Sequence, residues 1–563
     1  MREAAMDDAM NDGVSILPAR WQPELPVERF LLDEDPDPEA VPMDVLFVGG
    51  GPAGLAGAIE LARLVRAEAE AGGGLGEVEI GVLEKSAQLG EHCLSGAVVE
   101  PGPLRSLFPE LSVEELPLRA PVRNDRVYLL TERRQLRLPT PPTMRNHGHY
   151  VASVCEVVRW MGERAEELGV NVFTGFPAAA LLLRNGTVVG VRTTPSGLNR
   201  DGQPGVSHVP PTDLTARVTV LAEGTRGPLT QSYVRRAQIG AAAPQIYALG
   251  VKELWRVPRA PDSVIHTLGW PLPRDAFGGS WMYPMAEDLV SLGLVVGLDY
   301  RQSDLDVHAL LQRLKAHPLV SPILEGGDLE EWGAKTIPEG GFHALPERLH
   351  GDGVLIVGDA AGFVDVASLK GIHYAIQSGI FAARAIFQAL KNGDTSSDQL
   401  SDYDRMVRES FVYSDLRRTR GMRAAFKKGF YRGGLMAACM QLTGGAFPSL
   451  RPARERDADV ERRPSEGLGR RFGGNGTFGK ADAVFRSGNA TRDDIPSHLV
   501  VPPEVPAEYA EFYRHMCPAA VYDSENGRLA VHAANCVDCK ATDVLGPRWT
   551  PREGGSGPAY KRM

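Results

Sequence analysis

The chain has little cysteine, no long apolar run and no surplus of basic residues. Six cysteines in 563 residues are too few to staple a fold of this size. Three of them, Cys517, Cys536 and Cys539, crowd the C-terminus, which points to a metal site in a reducing compartment. No apolar stretch reaches the ~18 residues that a membrane-spanning helix requires. A net charge of −10 argues against wholesale nucleic-acid binding. The first residues lack the basic start and apolar core of a secretion signal, and Glu3, Asp7, Asp8 and Asp12 make them too acidic for a mitochondrial transit peptide. Residues 1–41 are therefore expected to form a mostly irregular leader. What remains is ordinary for a globular enzyme: 43% hydrophobic residues and a length that suits two to four domains of ~150 residues each.

The strongest single signal lies between Met43 and Leu64. Val45–Val48 is a short apolar run, as in a parallel strand buried on both faces. Gly49-x-Gly51-x-x-Gly54 follows and opens into an alanine-rich helix. In that order, the first glycine permits the tight turn, the second lets a pyrophosphate approach the backbone, and the third lets helix and strand pack closely. The phosphate then sits on the helix's positive N-terminus. The next strand, roughly 78–83, ends at Glu84, an acid placed for a ribose hydroxyl. Its distance from the glycines exceeds the usual ~20 residues, because 67–76 lengthens the helix and loop. An adenine dinucleotide is the expected ligand.

Ser95, Gly96 and Ala97 are small enough to let a flat ring approach the backbone, while His92 and Cys93 are expected to pack. A second strand, 216–221, runs into Glu223-Gly224, and a third, 354–357, into Gly358-Asp359. Asp359 is the expected acceptor for a flavin ribityl hydroxyl. The helix from about Gly371 to Ala389 would place its positive end at the flavin N1–C2 edge. Three separated pieces of one dinucleotide fold, interrupted by β-rich inserts, specify FAD better than NAD. Between 411 and 447, seven basic residues from Arg417 to Arg432 alternate with large apolar ones such as Phe411, Met422 and Phe426. That mixture suits an anionic membrane interface, and a surface helix pair with one buried face is the competing reading.

At the C-terminus, Cys517-Pro518 precedes Cys536-x-x-Cys539-x-x-Thr542. Ferredoxin-type clusters take three thiolates from C-x-x-C-x-x-C and a fourth from a distant Cys-Pro. Here a threonine hydroxyl, hard and normally protonated, stands where a soft thiolate is required. Three thiolates suit a three-iron cluster, or a four-iron one completed by Thr542, Asp543 or water. Zinc would need Asp538, Asp543 or His532 as a fourth ligand, and a module without metal is the remaining alternative.

Together these residues resemble the electron transfer flavoprotein–ubiquinone oxidoreductase family over nearly everything after residue 42. The resemblance includes L-S-G-A, A-E-G at 222–224, H-T-L-G-W-P-L at 266–272, E-G-G-F at 339–342, C-P-A-A-V-Y at 517–522 and E-G-G-S-G-P-A-Y at 553–560. It implies FAD, an iron–sulfur cluster, and a quinone pocket at Gly278 and Gly279 whose amides face a quinone oxygen. It implies membrane-surface segments near 100–119 and 425–447, and electrons passing one at a time from reduced electron transfer flavoprotein through cluster and FAD to a membrane quinone. The implied location is monotopic, on the cytoplasmic face of a bacterial inner membrane. Thr542, Ala541 and Asp365 depart from the family pattern; Asp365 stands where an asparagine is frequent near the flavin. An isoprenoid C=C reductase, an FAD monooxygenase or a flavoprotein without a cluster is the alternative on the same fold.

The expected fold is mixed α/β: a two-dinucleotide-binding-type FAD domain, β-rich quinone-binding inserts and a ferredoxin-like module. FAD-domain pieces are expected at 42–130, 211–245 and 346–404, a β-rich insert at 131–210 and the quinone-binding domain at 246–345. A membrane-surface segment at 405–450, a connector at 451–500 and the iron–sulfur module at 501–563 complete the chain.

Overall fold

A computed structural model describes residues 15–426, 454–465 and 477–563, with isolated positions between 427 and 453. The nucleotide domain opens with β1 (Val45–Val48), α1 (Pro52–Glu70) and β2 (Ile80–Glu84). The chain leaves it for the hairpin β3 (Asp125–Leu130) and β4 (Gln135–Leu138), then returns through α2 (Val154–Glu167) and β5 (Asn171–Thr174). After a small sheet it adds β6 (Val218–Leu221) and α3 (Pro228–Arg236). A run of long strands follows: β7 (Tyr247–Arg256), β8 (Val264–Gly269), β9 (Gly278–Ala286), β10 (Leu289–Gly297) and β11 (Asp328–Pro338). The chain closes the nucleotide domain with β12 (His350–Gly351), β13 (Val354–Ile356) and α4 (Ile372–Asn392).

Two sheets organise the molecule. The first has the order β5-β2-β1-β6-β13-β12 and is parallel except for β12 at its edge. Every residue of β1 and β6 is buried, as strands covered on both faces require. The helices α1 and α4 pack against each other. The second sheet has the order β11-β7-β10-β9-β8-β3-β4 and is antiparallel except where β8 runs alongside β3. The C-terminal module, with α5 (Ala507–Met516) and α6 (Ala541–Leu545), docks on its edge strand β11. There the Thr336 amide donates to the Cys539 carbonyl at 2.9 Å, and a covered edge has no free ladder to pair with another chain.

Residues 15–42 are irregular over most of their length, as expected, but are tied into the fold: Leu31–Leu32 pairs with Leu181–Leu182, Val41–Pro42 pairs with Leu214–Thr215, and Phe30 is fully buried. Two expected boundaries differ. Residues 131–210 are not one insert, since β4 belongs to the large sheet and α2 and β5 to the nucleotide domain. The described part of the 451–500 connector is anchored, with Arg462 buried and donating to the carbonyls of Val460, Leu298 and Asp457. Within 100–119, Leu104, Leu107, Phe108 and Leu116 are buried in the core of the nucleotide domain, while Leu111, Val113 and Leu118 are only partly buried. Most of 427–453 lies outside the described residues.

Candidate active site

At the β1–α1 turn, Gly49 has φ +119°, and a side chain there would run into the Ala222 carbonyl. Gly51 caps α1, yet a Cβ added there would meet nothing within 4 Å. The protein leaves that space in front of the helix N-terminus, which is a cradle for phosphate. Glu84 borders it and is already anchored: one oxygen accepts from the Gly50 amide at 3.0 Å, the other from the Ser86 amide and hydroxyl at 2.9 Å each. The oxygen bonded to Gly50 keeps a second lone pair for a ribose.

Glu223 and Gly224 line the same cavity. The Glu223 carboxylate accepts from the Thr230 amide and hydroxyl, both at 2.7 Å, and from the Leu229 amide at 3.3 Å. The side chain caps α3, and burial still raises its pKa. Asp359 lines the same cavity, and its carboxylate accepts no hydrogen bond from the described residues. Burial pushes it up to about 6, with Lys335 pulling the other way. An unmet acceptor of this kind fits a polyol hydroxyl donor. Gly371 begins α4 at the cavity wall. Gly54 and Gly358 do not line the cavity and serve close packing, against the Gly49 carbonyl and Ala53 respectively. Asp365 does not line it either, because its carboxylate accepts from the Ser368 amide at 3.1 Å within the 365–370 loop.

The cavity measures about 1650 Å³ and runs without a break from Gly49 and Gly51, past Ser95 and Gly96, to Gly278 and Gly279 on β9. Side chains at either of the last two positions would strike backbone carbonyls, of Val295 and of Thr267. Beside them Arg423 stacks on Phe277 with 3.9 Å to the ring centroid, and pairs with Asp299 at 2.6 Å and Glu339 at 3.3 Å. Arg423 is thus a buried structural cation, not the surface charge expected of the 411–447 segment. Burial lifts Glu339 to about 7, with Arg423 opposing.

Cys517, Cys536 and Cys539 are brought together as expected and are all buried around one small space with Tyr522 and Thr542. None is in a disulfide. Burial raises all three thiols, Cys536 to about 12. Soft donors gathered around one buried space fit iron or zinc. Thr542 is already engaged: its hydroxyl lies 2.5 Å from the Tyr522 hydroxyl and donates to the Pro547 carbonyl at 3.1 Å. Asp543 is unavailable as a ligand, since it pairs with Arg226 at 2.5 Å. Asp538 is held by Lys85 at 2.5 Å and Arg552 at 3.0 Å. Burial works to raise Asp538, but Arg552 and Lys85 hold it well below the usual carboxylate range. From the same loop Lys540 and Trp549 line the large cavity, so the cysteine module forms part of its wall.

The family model described as "ETF-QO, ubiquinone-binding" matches residues 247–337, which are strands β7 to β11. The one described as "Electron transfer flavoprotein-ubiquinone oxidoreductase, 4Fe-4S" matches 474–561. A mitochondrial electron transfer flavoprotein–ubiquinone oxidoreductase of Oryza sativa is 38% identical over 93% of this chain and 94% of its own. The chain belongs to the electron transfer flavoprotein–ubiquinone oxidoreductase family. The Homo sapiens member is 35% identical over 97% of this chain and 91% of its own. Among solved structures, a geranylgeranyl bacteriochlorophyll reductase-like protein of Thermoplasma acidophilum superposes with a TM-score of 0.56 at 20% identity, covering 75% of this chain and 95% of that one. A flavin-dependent brominase gives 0.50 at 17%, covering 72% and 94%. These last two likenesses bear on the fold alone.

For this family member, sequence reading missed the groups that join the module to the cavity: Lys85, Lys335, Lys540 and Trp549. Lys85 follows Glu84 directly, and Lys540 follows Cys539, so adjacency to two recognised motifs was the available signal.

Proposed function

We propose that this protein passes electrons from reduced electron transfer flavoprotein to a membrane quinone, the activity its relatives are named for. The supporting observation is the single cavity, which touches the nucleotide turn, the Gly278–Gly279 strand and the cysteine module together. FAD and an iron–sulfur cluster are its cofactors. FAD, when bound, supplies a carrier able to exchange one or two electrons.

The chain's own groups have distinct tasks in this reading. Gly51 and the α1 N-terminus receive the pyrophosphate, Glu84 the ribose and Asp359 the ribityl chain. The N-terminus of α4 favours negative charge at the edge of the ring system. Cys517, Cys536 and Cys539 hold the cluster, and the neutral, hydrogen-bonded hydroxyl of Thr542 leaves one iron without a thiolate. The quinone ring lies against Gly278 and Gly279, where the backbone replaces side chains. No helix among the described residues is long and apolar enough to cross a membrane. We place the protein on the membrane surface, at the cytoplasmic face of a bacterial inner membrane, where a soluble carrier protein and a membrane quinone meet. Anaerobic analysis of purified protein for flavin, iron and sulfide tests the cofactor assignment. All three are expected, and flavin without iron or sulfide would defeat the cluster.

A further inference from the structure

Strand β11 ends at Pro338, and the next residue, Glu339, lines the cavity although its side chain is only 3% exposed. A carboxyl this deep is costly as an anion unless a cation compensates it. Arg423 does so only in part, because it is shared. Its Nη2 lies 2.6 Å from Asp299, and its Nε lies 3.3 Å from Glu339 Oε2. Asp457 is a third acid of the same group and is buried. Arg462 beside it is also buried and gives hydrogen bonds to the carbonyls of Val460, Leu298 and Asp457. Acids crowded together out of water favour a bound proton. Burial is the main cause that lifts Glu339 and Asp457 to about 7 each, with Asp299 adding to it and Arg423 opposing.

Of these two acids only Glu339 lines the cavity. Its Oε2 is enclosed beside Arg423, whereas Oε1 has no hydrogen-bond partner among the described residues and is not enclosed. A ligand in the cavity can therefore reach Oε1. The surroundings place it at the Gly278 end. The guanidinium that pairs with Glu339 stacks on Phe277, 3.9 Å from the ring centroid, and Phe277 adjoins Gly278. The Phe277 carbonyl accepts from the Gly297 amide at 2.8 Å, and a side chain at Gly297 would begin 2.5 Å from Arg423 Nη2. Arg301 and Glu455 line the same cavity and are exposed, so solvent has access to it.

We infer that Glu339 is the acid that protonates one carbonyl oxygen of the quinone as it is reduced. This rests on the quinone-reductase reading above. A quinone becomes a quinol by taking two electrons, which the enzyme's cofactors deliver, and two protons. For one of these protons the O–H bond of the Glu339 carboxyl breaks while an O–H bond forms on the nearer quinone oxygen. The other quinone oxygen takes its proton from solvent. The carboxylate left behind is held by Arg423 and regains a proton from solvent before the next turnover. A carboxyl that is neutral near the operating pH suits this work, and a positioned acid contributes ~10²–10⁴-fold to such a step.

The test is single-turnover oxidation of the holoenzyme, first reduced by electron transfer flavoprotein, with a short-chain ubiquinone. Glu339→Gln keeps the shape of the side chain but cannot release a proton. It should slow quinol formation roughly a hundred-fold and leave reduction by the carrier unchanged. Glu339→Ala should be slow as well, and added formate, small enough to enter the cavity with a carboxyl of its own, should restore much of the rate. Infrared difference spectra of the wild type should show the band of a protonated carboxyl that bleaches as quinol forms, shifts in heavy water and is missing from Glu339→Gln. The wild-type bleach decides the matter if the variants lose flavin. Glu339→Gln as fast as the wild type, no rescue of Glu339→Ala by formate, or no bleached carboxyl band in the wild type would overturn the inference while leaving quinone reduction standing. A wild-type holoenzyme that cannot reduce quinone would instead overturn the functional reading.

Discussion

At Gly51 an added methyl would meet no protein atom within 4 Å, whereas at Gly49 it would run into the Ala222 carbonyl. Two glycines of one motif thus answer to different constraints. Gly51→Val should fold with unchanged secondary structure and purify with much less flavin. Gly49→Ala should instead lower the melting temperature of the apoprotein. Full flavin occupancy in Gly51→Val, read from the absorbance ratio, would remove the pyrophosphate from that turn. The same reasoning applies to Thr542 in the cluster motif. The Thr542 hydroxyl already has partners in Tyr522 and Pro547, and a neutral oxygen binds iron more weakly than a thiolate. Mild oxidation should therefore yield a three-iron signal in electron paramagnetic resonance, and Thr542→Cys should suppress it in favour of a four-iron cluster. Identical spectra for the two proteins would mean that Thr542 is not next to the exposed iron.

Where elements meet, buried charge ties the parts together. Asp457, in the expected connector, accepts from the Tyr247 amide at the start of β7 at 2.7 Å, while its other oxygen is buried without a partner among the described residues. Burial, with Asp299 adding to it, pushes Asp457 up to about 7; in the unfolded chain it titrates near its ordinary ~3.9. Between those pH values the folded state holds a proton that the unfolded state has lost. This contribution to stability is complete below about pH 4, falls as pH rises and is gone above about 7. Asp457→Asn keeps an oxygen for Tyr247 and cannot ionise, so denaturation curves should show a weaker decline toward alkaline pH. A decline as steep as in the wild type would assign the pH dependence to other groups, Glu339 first. Elements whose parts adjoin in sequence were legible: the β1–α1–β2 unit declared itself through four apolar residues, three glycines and an acid. The two-residue strand Leu31–Leu32 did not, since its partners lie at 181–182 and two residues carry no period. The cap that Glu223 makes on α3 was legible too, since Pro228 just beyond it is a helix-start signal.

At the scale of the whole molecule, the proposed function requires electrons from electron transfer flavoprotein to reach a quinone in one cavity. Met422, Arg423 and Phe426 line that cavity at the end of the described basic and apolar stretch, with Phe426 packed 5.8 Å from Phe277. If this stretch leads to the membrane, binding to anionic vesicles should weaken as salt rises and again in Phe426→Asp. Salt-independent binding would remove the electrostatic part, and no binding would return the segment to an ordinary surface role. The most direct measurement is anaerobic turnover: the holoenzyme is mixed with reduced electron transfer flavoprotein and a short-chain ubiquinone, and carrier oxidation and quinol formation are followed together. The account predicts quinol in amounts matching the electrons lost by the carrier, with neither reaction proceeding when the enzyme is omitted. Oxidation of the carrier without quinol, or no oxidation of the carrier at all, would contradict it.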